Sequence, residues 1–292
     1  MQTVSVNVSL LKSLLSLATV IEAKDPYTGG HTWRVSRYAR LLAESMGLSE
    51  DEVFIVYFGS LMHDIGKVSV PEPILNKEGK LTTVEYEVIK KHPETGRTLV
   101  RDHPLGALAL DIVTSHHERF DGGGYPRGLA GNDISLFARI VAIVDAFDAM
   151  TSARPYRAGM QAETAYSLMM QESGQQFDPF LLSAFLDLGR RGEFDHILGH
   201  SSEERLMHSC AVCGPIIVVP AHWQNGDKVL CPKCLGNYNV HPNGDDFEVE
   251  WDKTVDFAWI PQPDTDTISE VAYHAPRELR LPSHFPEFSP AF

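Results

Sequence analysis

Five histidines and two aspartates carry the chemical content of this chain: His31, His63, Asp64, His92, His116, His117 and Asp145. The centre is the adjacent pair His63-Asp64, within Gly59-Ser60-Leu61-Met62-His63-Asp64-Ile65-Gly66-Lys67. An imidazole and a carboxylate on neighbouring residues can face one cation, and the flanking Phe58, Leu61, Met62 and Ile65 predict a largely buried helix. An aspartate buried there without a partner is costly, and a metal ion removes that cost. Lys67, one helical turn beyond His63, would then point at an anion held by the metal. A lone His-Asp pair is more often a core histidine beside a helix-ending acid, because short motifs recur by chance. Seven ligand-type residues at helix ends or beside turn signals reverse that balance.

Neutral imidazoles mixed with carboxylates suit divalent first-row metals such as iron or manganese. Seven protein ligands, with Asp64 bridging, would serve two such ions together with waters. His116 and His117 stand about 100° apart if both are helical, so each is expected to serve a different ion. Two ions about 3.5–4 Å apart suit phosphodiester hydrolysis, in which a bridging hydroxide attacks phosphorus and no serine or cysteine nucleophile is required.

The four cysteines form a second constellation, Cys210-x-x-Cys213 and Cys231-x-x-Cys234, with 17 residues between the pairs. This spacing suits a structural zinc site better than a disulfide framework, since four thiolates close a tetrahedron with no open position. The rival reading, a pair of redox dithiols, lacks an evident helix N-terminus to lower a thiol pKa. His208 and His222 lie near the cysteines and are expected to be surface residues.

The elements that must position these side chains are mostly helices. Apolar residues recur at helical spacing over Val8 to Glu22 and His31 to Met46, with Asp25-Pro26-Tyr27-Thr28-Gly29-Gly30 breaking the chain between them. Ser49 with Glu52 reads as a capping box for the helix that delivers His63-Asp64. Thr82 or Thr83 opens a helix expected to run to His92-Pro93, and further helices are predicted over Leu105 to His117, Ser135 to Ala153, Gln161 to Gln171 and Asp178 to Leu188. Gly122-Gly123-Gly124 forbids regular structure and permits close backbone approach to a ligand. Short strands are expected at Ile216 to Val219, Lys228 to Leu230 and Phe247 to Trp251.

The predicted architecture is therefore mainly α: a helical bundle over residues 1–195, a small β-rich zinc-ribbon-like module over 196–260, and a proline-rich tail over 261–292, extended or poorly ordered. With 43% hydrophobic and 22% charged residues, the 292-residue chain reads as soluble, and its longest apolar runs are far short of a bilayer span. The start lacks the basic region and cleavage site of a signal peptide, which points to the cytoplasm. A net charge of −14 argues against a nucleic-acid polymer as partner, although cations in a pocket could still attract a small phosphodiester.

His63-Asp64 with His92, His116-His117 and Asp145 resembles the HD superfamily of metal-dependent phosphohydrolases. His63-Asp64-Ile65-Gly66-Lys67 together with His116-His117-Glu118-Arg119-Phe120-Asp121-Gly122-Gly123-Gly124-Tyr125-Pro126 is similar to its HD-GYP subgroup, over about residues 20–190. The resemblance implies an HD-type bundle and a bacterial-type cyclic di-GMP phosphodiesterase that yields pGpG and, in many members, GMP. It implies Asp64 as the bridging ligand, with the other six residues completing the dimetal centre, and Lys67 on the scissile phosphate. It implies substrate contacts from Arg119, Asp121, Tyr125, Arg154 and Arg157, and from Asp148 either substrate positioning or support of a ligand. Tyr125 would shape a guanine pocket or contact a GGDEF-type diguanylate cyclase, and a homodimer is compatible with the family. Some members bind a third metal through a glutamate where this chain has Tyr27, so two metals are expected, with Glu22 and Asp25 the remaining candidates for a third site. Rival readings are a phosphohydrolase for another cyclic dinucleotide or nucleotide, and a silent module that senses the dinucleotide or grips a cyclase.

Overall fold

A computed structural model describes residues 2–24, 30–77, 79–152, 159–202, 205–219, 224–243, 246–256, 258, 263–282 and 285. The expectations for Asp25, Tyr27, Arg154, Arg157 and His222 fall outside these residues. Strand β1 (Gln2–Ser5) leads into α1 (Val8–Glu22), whose N-cap Asn7 accepts from the amides of Ser9 and Leu10. Helices α2 (His31–Ser45) and α3 (Glu50–Met62) follow, the latter opened by the Ser49/Glu52 capping box. A 3-10 turn (Ile65–Ser69) and the short α4 (Glu72–Leu75) precede α5 (Thr83–Ile89), α6 (His92–Val100) and α7 (Ala107–Ser115). Helices α8 (Leu136–Thr151), α9 (Ala162–Gln171) and α10 (Pro179–Arg190) complete the bundle.

The helix expected to run from Thr82 to His92 ends at Ile89, and His92 opens α6. Pro93 explains the break. A proline in a first turn leaves unmade only a hydrogen bond that has no partner anyway, so it starts a helix where an interior position would clash.

Beyond the bundle, β2 (His200–Ser202) pairs with β3 (Arg205–Leu206) and β4 (His208–Cys210) with β5 (Gly214–Ile217). Strands β6 (Lys228–Leu230), β7 (Gly236–Asn243) and β8 (Asp246–Val255) form an antiparallel sheet in that order. This module has its own small core, in which Ile217, Val219, Val229, Tyr238 and Val240 pack around Cys210 and Cys231.

Residues 263–282 are not the extended or poorly ordered tail that the prolines suggest. They carry α11 (Thr265–His274) and β9 (Glu278–Leu281), and β9 pairs antiparallel with β1, Gln2 opposite Leu281 and Ser5 opposite Glu278. Ile268, Val271, Leu279 and Leu281 enter the core of the helical bundle. Pro263, Pro276 and Pro282 lie just outside these elements, and Asp264 caps α11 by accepting from the amides of Asp266 and Thr267. Glu270 anchors the helix, pairing with Arg37 and accepting from the Tyr57 hydroxyl at 3.1 Å. Among the described residues no helix is long and apolar enough to cross a membrane.

Candidate metal centre

Helix ends place most of the ligands. His31 is the first residue of α2, His63 caps the C-terminus of α3, His92 opens α6 and His116 caps α7. The last carbonyls of a helix have no intrahelical donor. Last-turn carbonyls, whether or not they also accept a backbone amide, orient the imidazoles here: Nδ1 of His63 donates to the Ser60 carbonyl at 2.6 Å, that of His92 to Ile89 at 2.8 Å and that of His116 to Ile112 at 3.0 Å. A carbonyl only accepts, so each Nδ1 carries a hydrogen and each Nε2 is turned inward, its lone pair free whenever the ring is neutral. Metal-binding histidines are oriented in this way.

The inward atoms gather around Asp64 in two groups. Oδ2 lies 3.3 Å from His63 Nε2 and 3.9 Å from His31 Nε2, while Oδ1 lies 3.4 Å from His92 Nε2 and 3.9 Å from His116 Nε2. Ligand atoms of His31, His63 and Asp64 all lie within 4.8 Å of one another, as do those of Asp64, His92, His116 and His117. Asp145, whose position is inside α8 and not at a helix end, brings Oδ1 to 3.4 Å from His31 Nε2 and 3.9 Å from His63 Nε2. All seven predicted ligands therefore converge, four on each side with Asp64 shared.

One expectation is corrected. His116 and His117 belong to the same group, with ring centroids 4.1 Å apart. The helical 100° offset does not apply, because α7 ends at Ser115 and both histidines lie in the turn that follows.

The donor set fits cations. Nε2 of His92 and His116 face each other at 3.2 Å, two lone pairs directed at a shared space. His63 Nε2 is buried without a hydrogen-bond partner, its approach to Asp64 lacking hydrogen-bond geometry. Burial opposes charge on His63, but the carboxylates of Asp64 and Asp145 outweigh it and raise its pKa to about 9. Burial lowers His92, and burial with the neighbouring histidines pushes His117 down to about 3 and His116 well below the usual range. Burial would raise Asp64, yet Lys67 and His63 hold it well below the usual carboxylate range. Lys67 Nζ sits 2.5 Å from Asp64 Oδ2, and the two line a cleft with Glu22 and His31.

Behind the ligands stands a buried network. Asp148 accepts from His31 Nδ1 at 2.8 Å and from Arg34 Nε at 2.6 Å and Nη2 at 3.1 Å. Asp148 is 1% exposed with both oxygens engaged, so it holds the His31 ring from behind. Glu22 accepts from the amide and hydroxyl of Thr32, capping the first turn of α2. Arg119 pairs with Asp121 at 2.8 Å and Glu172 at 3.2 Å, and Asp121 also accepts from the Gly123 amide at 2.8 Å. These two residues brace the glycine-rich loop. Glu118, unassigned from sequence, holds the loop from inside by accepting from the amides of Arg127 and Leu129. A Cβ at Gly124 would collide with the backbone of Glu118 and Arg119. Tyr125 stacks on His117, centroids 4.8 Å apart and planes 29° apart, which puts it beside the second group.

The four cysteine sulfurs also lie within 4.8 Å of one another, and Cys210 and Cys234 are 3.6 Å apart. That is too long for a disulfide and close to the ~3.8 Å edge of a tetrahedron built from zinc–sulfur bonds of about 2.3 Å. Burial would raise the Cys210 thiol, but the Tyr238 hydroxyl at 3.0 Å and nearby amides bring it down to about 7, while burial pushes Cys213 up to about 12.

A helical bundle that gathers five imidazoles around one shared carboxylate defines a metal-binding helical domain. The family model described as HD domain matches residues 16–181, and the chain belongs to that family. It is 42% identical over 196 residues to the cyclic di-GMP phosphodiesterase response regulator RpfG of Xanthomonas campestris pv. campestris, covering 65% of this chain and 50% of the relative. It is 39% identical over 202 residues to a cyclic di-GMP phosphodiesterase of Thermotoga maritima, covering 68% and 54%. A 3'3'-cGAMP-specific phosphodiesterase 2 of Vibrio cholerae is 38% identical over 174 residues, covering 59% and 33%. The chain spans about half the length, or less, of the curated relatives it matches.

Proposed function

We propose that this chain is a cytoplasmic phosphodiesterase that hydrolyses cyclic di-GMP to the linear dinucleotide pGpG, using two divalent iron or manganese ions at the histidine-aspartate centre and zinc at the four cysteines. The observation that carries this reading is the division of one ligand set about Asp64, Oδ2 facing His31 and His63 while Oδ1 faces His92 and His116. His31, His63, Asp64 and Asp145 would hold one ion, and Asp64, His92, His116 and His117 the other. Such a pair acidifies a water and neutralises charge at phosphorus when bound.

The chain's own residues supply orientation. The helix-end carbonyls fix the rings of His63, His92 and His116 and Asp148 fixes that of His31, while Asp64 Oδ2 would exchange its Lys67 partner for the ion. Lys67, partly exposed in the cleft beside Asp64, offers its ammonium to a phosphoryl oxygen. Tyr125, fixed against His117, borders the second group. The names of the Xanthomonas and Thermotoga relatives support cyclic di-GMP as the substrate, and that of the Vibrio relative favours 3'3'-cGAMP as a second reading.

The test is turnover by the full chain, loaded anaerobically with iron or manganese, of cyclic di-GMP, 3'3'-cGAMP and 2',3'-cyclic nucleotides, with products separated to distinguish pGpG from GMP. Asp64→Asn is expected to lose metal and turnover together. Loaded protein that binds cyclic di-GMP without cleaving it would overturn the enzymatic reading in favour of a sensor.

A further inference from the structure

An aromatic strip leads from the metal centre to solvent. Tyr125, stacked on His117, meets Tyr86 of α5 edge to face, centroids 6.4 Å apart and planes at 82°. Lys90 Nζ sits over both rings, 5.7 Å from the centroid of Tyr86 and 5.6 Å from that of Tyr125. Tyr86 is 46% exposed, a large aromatic surface left open at the end of the strip.

The helix that presents Tyr86 buries none of its residues. A seven-residue helix is marginal without packing. This one is held by the Thr82/Glu85 capping box and by Lys77, whose Nζ lies 2.6 Å from Glu85. Its register to the metal centre is fixed, because the Ile89 carbonyl at its end orients His92. Tyr86 and Lys90 lie four residues apart, on one face of the helix. Lys90 Nζ also donates to Glu87 Oε1 at 2.8 Å, so a donor and an acceptor stand side by side next to the open ring.

We propose that Tyr86, Glu87 and Lys90 form a guanine-accepting subsite beside the second metal group, with the base stacked on Tyr86. Guanine presents the O6 and N7 acceptors, which suit Lys90, beside its N1–H donor, which suits Glu87; adenine reverses this order, with a donor at N6 and an acceptor at N1. The subsite rests on the cyclic-dinucleotide reading above and narrows it to a substrate with guanine at this end.

The experiment compares wild type, Tyr86→Ala, Tyr86→Phe and Glu87→Gln, all full-length and loaded with manganese. Kinetics are measured on cyclic di-GMP, cyclic di-AMP and methyl p-nitrophenyl phosphate, with equilibrium binding of cyclic di-GMP measured alongside. Stacking on an aromatic ring predicts that Tyr86→Ala raises KM and the dissociation constant for cyclic di-GMP roughly tenfold, with a much smaller rise for the base-free diester and recovery in Tyr86→Phe. Glu87→Gln should cut the preference for cyclic di-GMP over cyclic di-AMP roughly tenfold. Equal losses on the dinucleotide and the base-free diester, or an unchanged guanine preference, would overturn the subsite. If wild type cleaves only the simple diester, the substrate reading fails by itself, and the binding arm still decides whether Tyr86 holds the dinucleotide.

Discussion

His63 is expected to govern how the candidate metal centre loads. Asp64 and Asp145 raise its pKa to about 9 against the effect of burial, while burial keeps His92, His116 and His117 low. The sign follows directly: at pH 7 a group with a raised pKa still carries its proton, and a cation must displace that proton to use the same lone pair. Metal uptake at pH 7 is therefore expected to release close to one proton from these four imidazoles. Affinity should rise about tenfold per pH unit up to about pH 9 and level off above it. Calorimetric titration in buffers of different protonation enthalpy reads the proton count; none released, or an affinity flat between pH 7 and 9, would exclude His63 as the gate. The seven residues that converge were legible in the sequence because few residue types bind first-row metals. Their supports were not. A buried Arg34 or Glu118 has the same letter as a surface charge, and only the fold shows that Arg34 holds Asp148, and Asp148 holds His31.

At the level of elements, the two halves of the ligand set are brought together where the 3-10 turn after Asp64 meets the first turn of α6. Gly66 is the point of contact: a Cβ there would collide with the His92 carbonyl and the Gly96 amide. Gly66→Ala must push α6 away and carry His92 with it. The expected cost is about 1–3 kcal/mol, as for other overpacked sites. Metal content should fall more steeply than stability, because a shift of even 1 Å separates His92 from Asp64 and His116. Thermal melts paired with metal analysis check this, and a variant with full metal content would show that the close approach is dispensable. Most helix starts could be read beforehand, since Ser49 with Glu52 and Thr82 with Glu85 are local hydrogen-bonding devices independent of the rest of the fold. The break before His92 could not, because Pro93 is compatible both with stopping one helix and with starting another.

Across the whole molecule, the chain closes on itself: β9 pairs with β1 and α11 packs on α1, with the cysteine module between bundle and tail in sequence. Long-range pairing of this kind leaves no local signature, whereas prolines do, which is why the sequence pointed to an extended tail. The link between the cysteine module and the metal centre is narrower. Arg34 Nη1 donates to the His200 carbonyl at 2.8 Å while the same guanidinium holds Asp148. The two attachments predict different consequences. Leu279 is fully buried in the core of the bundle, so Leu279→Ala should destabilise the helical unfolding transition by about 2–5 kcal/mol. Cys231→Ser removes one of four clustered sulfurs, and with it the proposed zinc site, which lies in the small core around Cys210, Tyr238 and Val240. Its effect on the helical transition should be smaller than that of Leu279→Ala. Urea unfolding followed by far-ultraviolet circular dichroism at the helical minimum separates the two. If Cys231→Ser shifts that transition as far as Leu279→Ala does, the bundle leans on the zinc module, and the β1–β9 closure is not what keeps the bundle folded.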